Sequence, residues 1–153
     1  MDLVSVIIPY YRKRNFVRDS IISVIDQTYQ NLEILLIYDD TNLNDFEFLK
    51  EISKLDNKIK IIKNDTKLGA GLSRNIGIRK SNGKYIAFLD ADDTWSPEKL
   101  EEQISFMREN DYKISHTSYL ITNEKKKLLG REKLEIYYQL MTLSNPVMLG
   151  YLL

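Results

Sequence analysis

Three stretches of the chain, Leu3 to Ile8 (LVSVII), Leu32 to Tyr38 (LEILLIY) and Tyr85 to Leu89 (YIAFL), are apolar almost without interruption. Each then runs into polar or acidic residues. A strand with one wetted face alternates apolar and polar side chains. A strand that is apolar throughout is covered on both faces, which demands helices above and below a sheet.

The intervening segments have the helical period. Asn15 to about Thr28 repeats Val17, Ile21, Val24 and Ile25, with Asn15 placed to cap, and Asp45 to Leu55 lines up Phe48, Leu49, Ile52 and Leu55. Lys58 to Lys63 is a short strand, and Gly69-Ala70-Gly71 opens a helix carrying Leu72, Ile76 and Arg79. Pro9 is expected to stop the first strand, and Asn82-Gly83 to make a turn before the fourth. Ser96-Pro97-Glu98 has the pattern of a helix start, a capping serine followed by proline, and Leu100, Ile104 and Met107 continue it. Lys113 to Thr122 is predicted as a strand, Glu124 to Leu129 as a turn and short strand, and Arg131 to Thr142 as a helix. Alternating strands and helices of this kind give an α/β fold, a mostly parallel sheet flanked by helices on both faces. The handedness of its crossovers makes it Rossmann-like.

The 153 residues suit one domain. With 22 Lys and Arg against 22 Asp and Glu, no global field draws in nucleic acid, and no nucleic-acid partner is expected. The absence of cysteine excludes disulfides and thiolate metal sites. The positive charges near the amino terminus follow its short apolar run rather than precede it, so no signal peptide is expected. No stretch approaches the roughly 18 apolar residues of a membrane span. These features predict a cytoplasmic protein, with peripheral attachment to the inner face of the membrane left open and the oligomeric state unspecified.

In open α/β sheets ligands bind beyond the carboxyl ends of the strands. Here those ends carry Pro9-Tyr10-Tyr11, Asp39-Asp40 and Asp90-Ala91-Asp92-Asp93. Carboxylates gathered at one edge repel one another unless a cation or ligand donors intervene. Oxygen ligands of this kind suit Mg²⁺ or Mn²⁺, which keep positions open for water and phosphate. The alternative for Asp90 to Asp93 is a polar turn before a helix. Asp39 and Asp40 either form a turn with Asn42 and Asn44 or accept the N–H of a nucleobase, and Tyr10 and Tyr11 either stack on such a base or pack at the strand end. Arg74 and Asn75, near a helix start, either contact phosphate or the acids or lie on the surface. The glycine loop has the spacing of neither the dinucleotide fingerprint nor the P-loop. His116 and Trp95 read as structural, and Lys125 to Lys127 as a solvated hairpin.

VSVIIPYY, then DQTYQNLEILLIYDD, then GLSRNIGIRKSNGKYIAFLDADD, taken in order over about residues 3 to 110, resemble the family 2 glycosyltransferases of the GT-A fold. The resemblance implies inverting transfer of a sugar from a nucleotide-diphosphate donor, UDP-linked by family frequency, to a glycan or lipid-linked acceptor of a bacterial surface polysaccharide. It implies donor-binding roles for Pro9, Tyr11, Asp39, Asp40, Arg74, Asn75, Asp90 and Asp92. Asp92 and Asp93 are the implied ligands of Mn²⁺ or Mg²⁺. Where the family pattern resembles DDGS, this chain has Asp39-Asp40-Thr41-Asn42, a change to the turn. Family catalytic domains continue further, so residues 1 to 153 are expected to form a single domain truncated at its carboxyl end. No residue of the chain carries a motif that names it as the general base. Two other readings remain: a non-catalytic nucleotide-sugar-binding module, and a phosphatase of the haloacid-dehalogenase type, whose DxDxT signature Asp90 to Thr94 also fits.

Overall fold

The computed structural model describes residues 1 to 122, 128 to 132 and 147 to 149. Its elements are β1 (Val4–Tyr10), α1 (Val17–Ile25), β2 (Leu32–Tyr38), α2 (Leu43–Ile52) with a 3-10 turn at Ser53–Leu55, β3 (Ile59–Lys63), α3 (Ala70–Lys80), β4 (Tyr85–Phe88), α4 (Lys99–Glu109), β5 (Ile114–Ser115), β6 (Tyr119–Thr122), β7 (Leu128–Glu132) and β8 (Val147–Leu149). One parallel sheet has the order β3-β2-β1-β4-β8-β5, and β6 and β7 form a separate antiparallel pair.

Both sheet faces are covered, as the apolar strands require. On one face Val4, Val6, Ile8 and Tyr10 of β1 pack with α1 (Val17, Ile21, Val24), α2 (Leu49, Ile52) and α4 (Leu100, Ile104, Met107). On the other, Ile7, Leu35, Ile37 and Ile86 meet α3 through Ile78. The α3 contact is close. A Cβ at Gly77 would come within 2.5 Å of the Ile7 side chain, so glycine is what lets this helix lie down on β1. The face of α3 turned to the sheet is Ser73 and Gly77, and Leu72, named from the sequence as one of the residues of this helix, is exposed. Small residues make the contact here, and apolar periodicity cannot register them.

Several local expectations change. Pro9 does not end β1. Pairing to β2 continues through Pro9↔Ile37 and Tyr10↔Tyr38, while the β4 ladder stops at Ile7↔Phe88. A proline lacks an N–H, which is tolerable on the side where the ladder has already closed. Asn15 does not cap α1: the Lys13 carbonyl accepts from the N–H groups of Phe16 and Val17, and a turn leads into the helix. Helix α4 begins at Lys99 rather than at Ser96-Pro97. Gln27 is the reason: its Oε1 accepts the Leu100 N–H at 2.9 Å and its Nε2 donates to the Ser96 carbonyl at 2.6 Å. The single strand predicted over Lys113 to Thr122 is two, because β5 joins the parallel sheet while β6 pairs with β7. Arg131 and Glu132, predicted to open a helix, are in β7. Residues 133 to 142 of that helix and Lys125 to Lys127 lie outside the described residues. Among the described residues no helix is long and apolar enough to cross a membrane.

Candidate functional site

The order β3-β2-β1-β4 turns back at β1, and a wound sheet opens for ligands at the carboxyl ends beside such a reversal. With β1 between β2 and β4, Tyr10 and Tyr11 stand between the two acidic strand ends.

At the β2 end, Asp39 and Asp40 are both buried, and they differ in what holds them. Asp39 Oδ1 accepts from Asn64 Nδ2 and the Leu68 N–H, each at 2.8 Å, and its Oδ2 accepts the Gly69 N–H at 2.7 Å. These bonds fasten the loop from β3 to the amino end of α3, where the helix dipole also favours a carboxylate. Gly69, at φ 85°, makes the turn that aims its N–H at Asp39. Asp40 Oδ1 accepts the Thr41 N–H at 2.7 Å. Its Oδ2 is buried with no hydrogen-bond partner, and Arg12 Nε lies 3.5 Å away.

The β4 end is built differently. Asp90, half exposed, pairs with Arg74 of α3. Asp92 accepts from Lys13 Nζ at 2.6 Å. Asp93 has no such cation on it; loss of hydration, then the like charges of Asp92 and Asp90, push its carboxyl up, with Lys13 pulling the other way. Asn75, expected near phosphate, is exposed on α3.

Two readings of Tyr10 and Tyr11 are now separable. Tyr10 is fully buried, donates to Asp45 at 2.7 Å and stacks on Tyr38 with ring centres 5.8 Å apart. Burial and the Asp45 bond push its hydroxyl far above the ordinary tyrosine range. It belongs to the core. Tyr11 is half-buried at the edge, with Lys67 Nζ 3.9 Å and the Arg12 guanidinium 5.0 Å from its ring centre.

The basic triplet Arg12-Lys13-Arg14 had figured in the sequence only as charges in the wrong place for a signal peptide. In the fold each takes a different acid: Arg12 on Asp40, Lys13 on Asp92 and Arg14 on Asp45. One short loop thus reaches both acidic strand ends. The available signal was three cations directly after a strand whose neighbours end in acids. Beyond β4, Lys99 is buried with its ammonium 3.8 Å from the Trp95 ring centre, and burial holds its pKa down at about 7.

Two carboxylates, Asp92 and Asp93, stand near enough to repel at an edge that water still reaches. That oxygen set fits a divalent cation completed by phosphate and water. Among the described residues no group of three or more metal-ligating side chains is assembled.

The chain matches the family model described as Glycosyl transferase family 2 over residues 5–148. It is 45% identical over 126 residues to an uncharacterized glycosyltransferase of Rickettsia felis, covering 82% of this chain and 21% of that one. It is 40% identical over 121 residues to WfgD of Escherichia coli, a UDP-Glc:alpha-D-GlcNAc-diphosphoundecaprenol beta-1,3-glucosyltransferase, covering 79% of this chain and 47% of that one. Among solved structures, S. aureus TarS 1-349 in complex with UDP-GlcNAc superimposes with a TM-score of 0.63 at 26% identity, covering 72% of this chain and 32% of that one. The chain therefore spans from about a fifth to about half the length of these relatives.

Proposed function

The chain belongs to glycosyl transferase family 2, and we propose that its described residues form the donor half of an inverting enzyme that moves a sugar from a UDP-sugar to a lipid-linked glycan hydroxyl in bacterial surface polysaccharide synthesis. The UDP-GlcNAc bound by TarS and the undecaprenol-linked substrate in WfgD's name support the substrate classes.

The observation that carries the reading is Asp40 Oδ2, a buried carboxylate oxygen without a hydrogen bond at the carboxyl edge of a wound sheet. A buried acceptor left unmet costs on the order of 1–3 kcal/mol, which an imide N–H of a nucleobase would recover. Asp39 acts through position. By fastening the loop to α3 it sets the helix from which Arg74 meets Asp90. Tyr11 offers its ring beside Arg12, which pairs with Asp40, and Pro9 lies where β1 has already left the β4 ladder and pairs only with β2.

On this reading Asp92 and Asp93 hold Mn²⁺ or Mg²⁺, whose positive charge stabilises the diphosphate that leaves as the glycosidic bond breaks. Arg74 and Lys13, on Asp90 and Asp92, are side-chain cations at the same strand end. The family match favours this chemistry over the phosphatase reading of Asp90 to Thr94.

Calorimetric titration of UDP into the chain, with and without Mn²⁺, tests the proposal. Asp93→Ala should remove the Mn²⁺-dependent gain in affinity, and Asp40→Ala should weaken UDP binding in the absence of metal. Equal metal-free affinity in Asp40→Ala and the parent would refute the base-reading role. UDP binding without any transfer or donor hydrolysis would assign the chain to a binding module instead.

A further inference from the structure

Arg12 is one of two non-glycine residues among those described with positive φ, at 52°. Arginine has no local hydrogen bond that favours this conformation, and a left-handed non-glycine residue is uncommon and strained. Its surroundings hold it there. Arg12 Nε lies 3.5 Å from Asp40 Oδ2, and its guanidinium lies 5.0 Å from the Tyr11 ring centre. The Arg12 side chain is nevertheless 71% exposed against 5% for that of Asp40. An exposed guanidinium has every freedom to swing into water, and here it is kept at a buried carboxylate oxygen that lacks a hydrogen bond.

The 3.5 Å contact is an ion pair and not a hydrogen bond, since Asp40 Oδ2 has no hydrogen-bond partner. Both groups therefore retain hydrogen-bonding capacity toward a third. Asp40 presents an acceptor only, and Arg12 presents donors only. Acceptor beside donor, next to an aromatic ring, is the complement of an N–H flanked by a carbonyl. Uracil has that edge at N3–H with O4 or O2, and guanine has it at N1–H with O6. Cytosine presents the reverse: a lone pair at N3 that faces the carboxylate and an amino group that faces the guanidinium. Adenine at N1 and N6 is mismatched in the same sense.

We propose that Arg12 is a specificity-determining residue of the donor site, pairing with Asp40 to read an adjacent ring N–H and C=O of the nucleobase and to reject cytosine and adenine, which have a lone pair and an amino group at those positions. The inference rests on the donor-site reading of Asp40 given above and adds a second reader to it. The neighbouring cations divide the remaining work. Lys13 is turned the other way, onto Asp92, and Arg14 is on Asp45, so of the triplet only Arg12 faces Asp40.

The test is calorimetric titration of UDP, GDP and CDP, at fixed Mn²⁺, into the parent chain, Arg12→Met and Arg12→Lys. The parent should bind UDP or GDP at least about tenfold more tightly than CDP, because a site built around a hydrogen bond penalises a ligand that cannot make it. Comparison of UDP with GDP then tells which of the two bases the edge admits. Arg12→Met should shrink that ratio several-fold with the melting temperature unchanged, the side chain being exposed. Arg12→Lys should restore charge without restoring the ratio, because the planar fork is lost. A uniform loss for all three diphosphates in Arg12→Met, recovered in Arg12→Lys, would make Arg12 a general phosphate attractor and overturn the proposal. Equal UDP and CDP affinity in the parent would overturn it while leaving the nucleotide site standing. Failure of every diphosphate to bind the parent would overturn the donor-site reading itself, and this inference with it.

Discussion

The two acidic strand ends look alike in the sequence, Asp39-Asp40 and Asp90-Ala91-Asp92-Asp93, and the fold makes them opposites. At β2 the carboxylates are buried, and Asp39 is bound three times over by the loop before α3. At β4 they remain partly exposed, held by Arg74 and Lys13 or, for Asp93, opposed by their own neighbours. A buried carboxylate with backbone donors is part of the architecture. A carboxylate that burial and like charge disfavour is poised to accept a cation. The same residue type therefore fastens the loop through Asp39, leaves Asp40 beside it with an unmet oxygen, and at the other strand end crowds its charges against one another.

The sharpest way to break this contrast is Asp39→Ala. It orphans the Leu68 and Gly69 N–H groups and leaves the Asn64 amide only its bond to Ser73, and should cost about 3 kcal/mol in urea unfolding. A loss under about 1 kcal/mol would mean that the loop holds itself and that Asp39 is available to ligand.

Next in size is Lys99, on the segment that leaves the β4 end. Its folded pKa, near 7, lies below the ordinary lysine value. Between about pH 7 and pH 10.5 the unfolded chain binds the extra proton, so this group makes stability rise with pH across that window. Lys99→Met should therefore stabilise the fold by roughly 1–3 kcal/mol at pH 6, with the gain fading toward pH 10. A pH-independent difference in chemical denaturation would contradict it.

Asp93→Asn keeps the shape and removes the repulsion. Because the carboxyl is pushed up in the fold, the metal-free chain carries a penalty above that raised value and is relieved of it as the pH falls and the group protonates. The amide should then raise metal-free stability by about 0.5 kcal/mol near neutral pH while ending the Mn²⁺ effect on UDP binding. A destabilised variant would place Asp93 among the architectural carboxylates. Smallest of all, Lys13→Ala, which removes an exposed ion pair, should change thermal stability by less than about 0.5 kcal/mol. A larger loss would make the β4 end structural too.

The layered α/β architecture could be read from LEILLIY and YIAFL because strands covered on both faces must be apolar on both. Repulsion among the acids at the β4 end could also be anticipated, since crowded carboxylates at one strand end repel whatever the details; that Asp93 is the one left without a cation could not. Gly77 against Ile7, Gln27 capping α4 across the chain and the split of Lys113 to Thr122 into two sheets were not legible. Each depends on a partner 12 or more residues away or on a small side chain without an apolar signature.

The sequence by itself determined which strands are buried, that their carboxyl ends carry five acids, and the family to which the order of motifs belongs. It could do so because burial and repulsion are properties of residue type and spacing. Only the tertiary structure decided that Asp39 is consumed by the loop before α3 and that Asp40 keeps an oxygen unmet. It also decided that Arg12, Lys13 and Arg14 part toward three different acids. Those outcomes turn on ångström-scale placement of hydrogen-bond donors carried by distant segments, and the wound sheet brings those segments to one edge only when the chain folds.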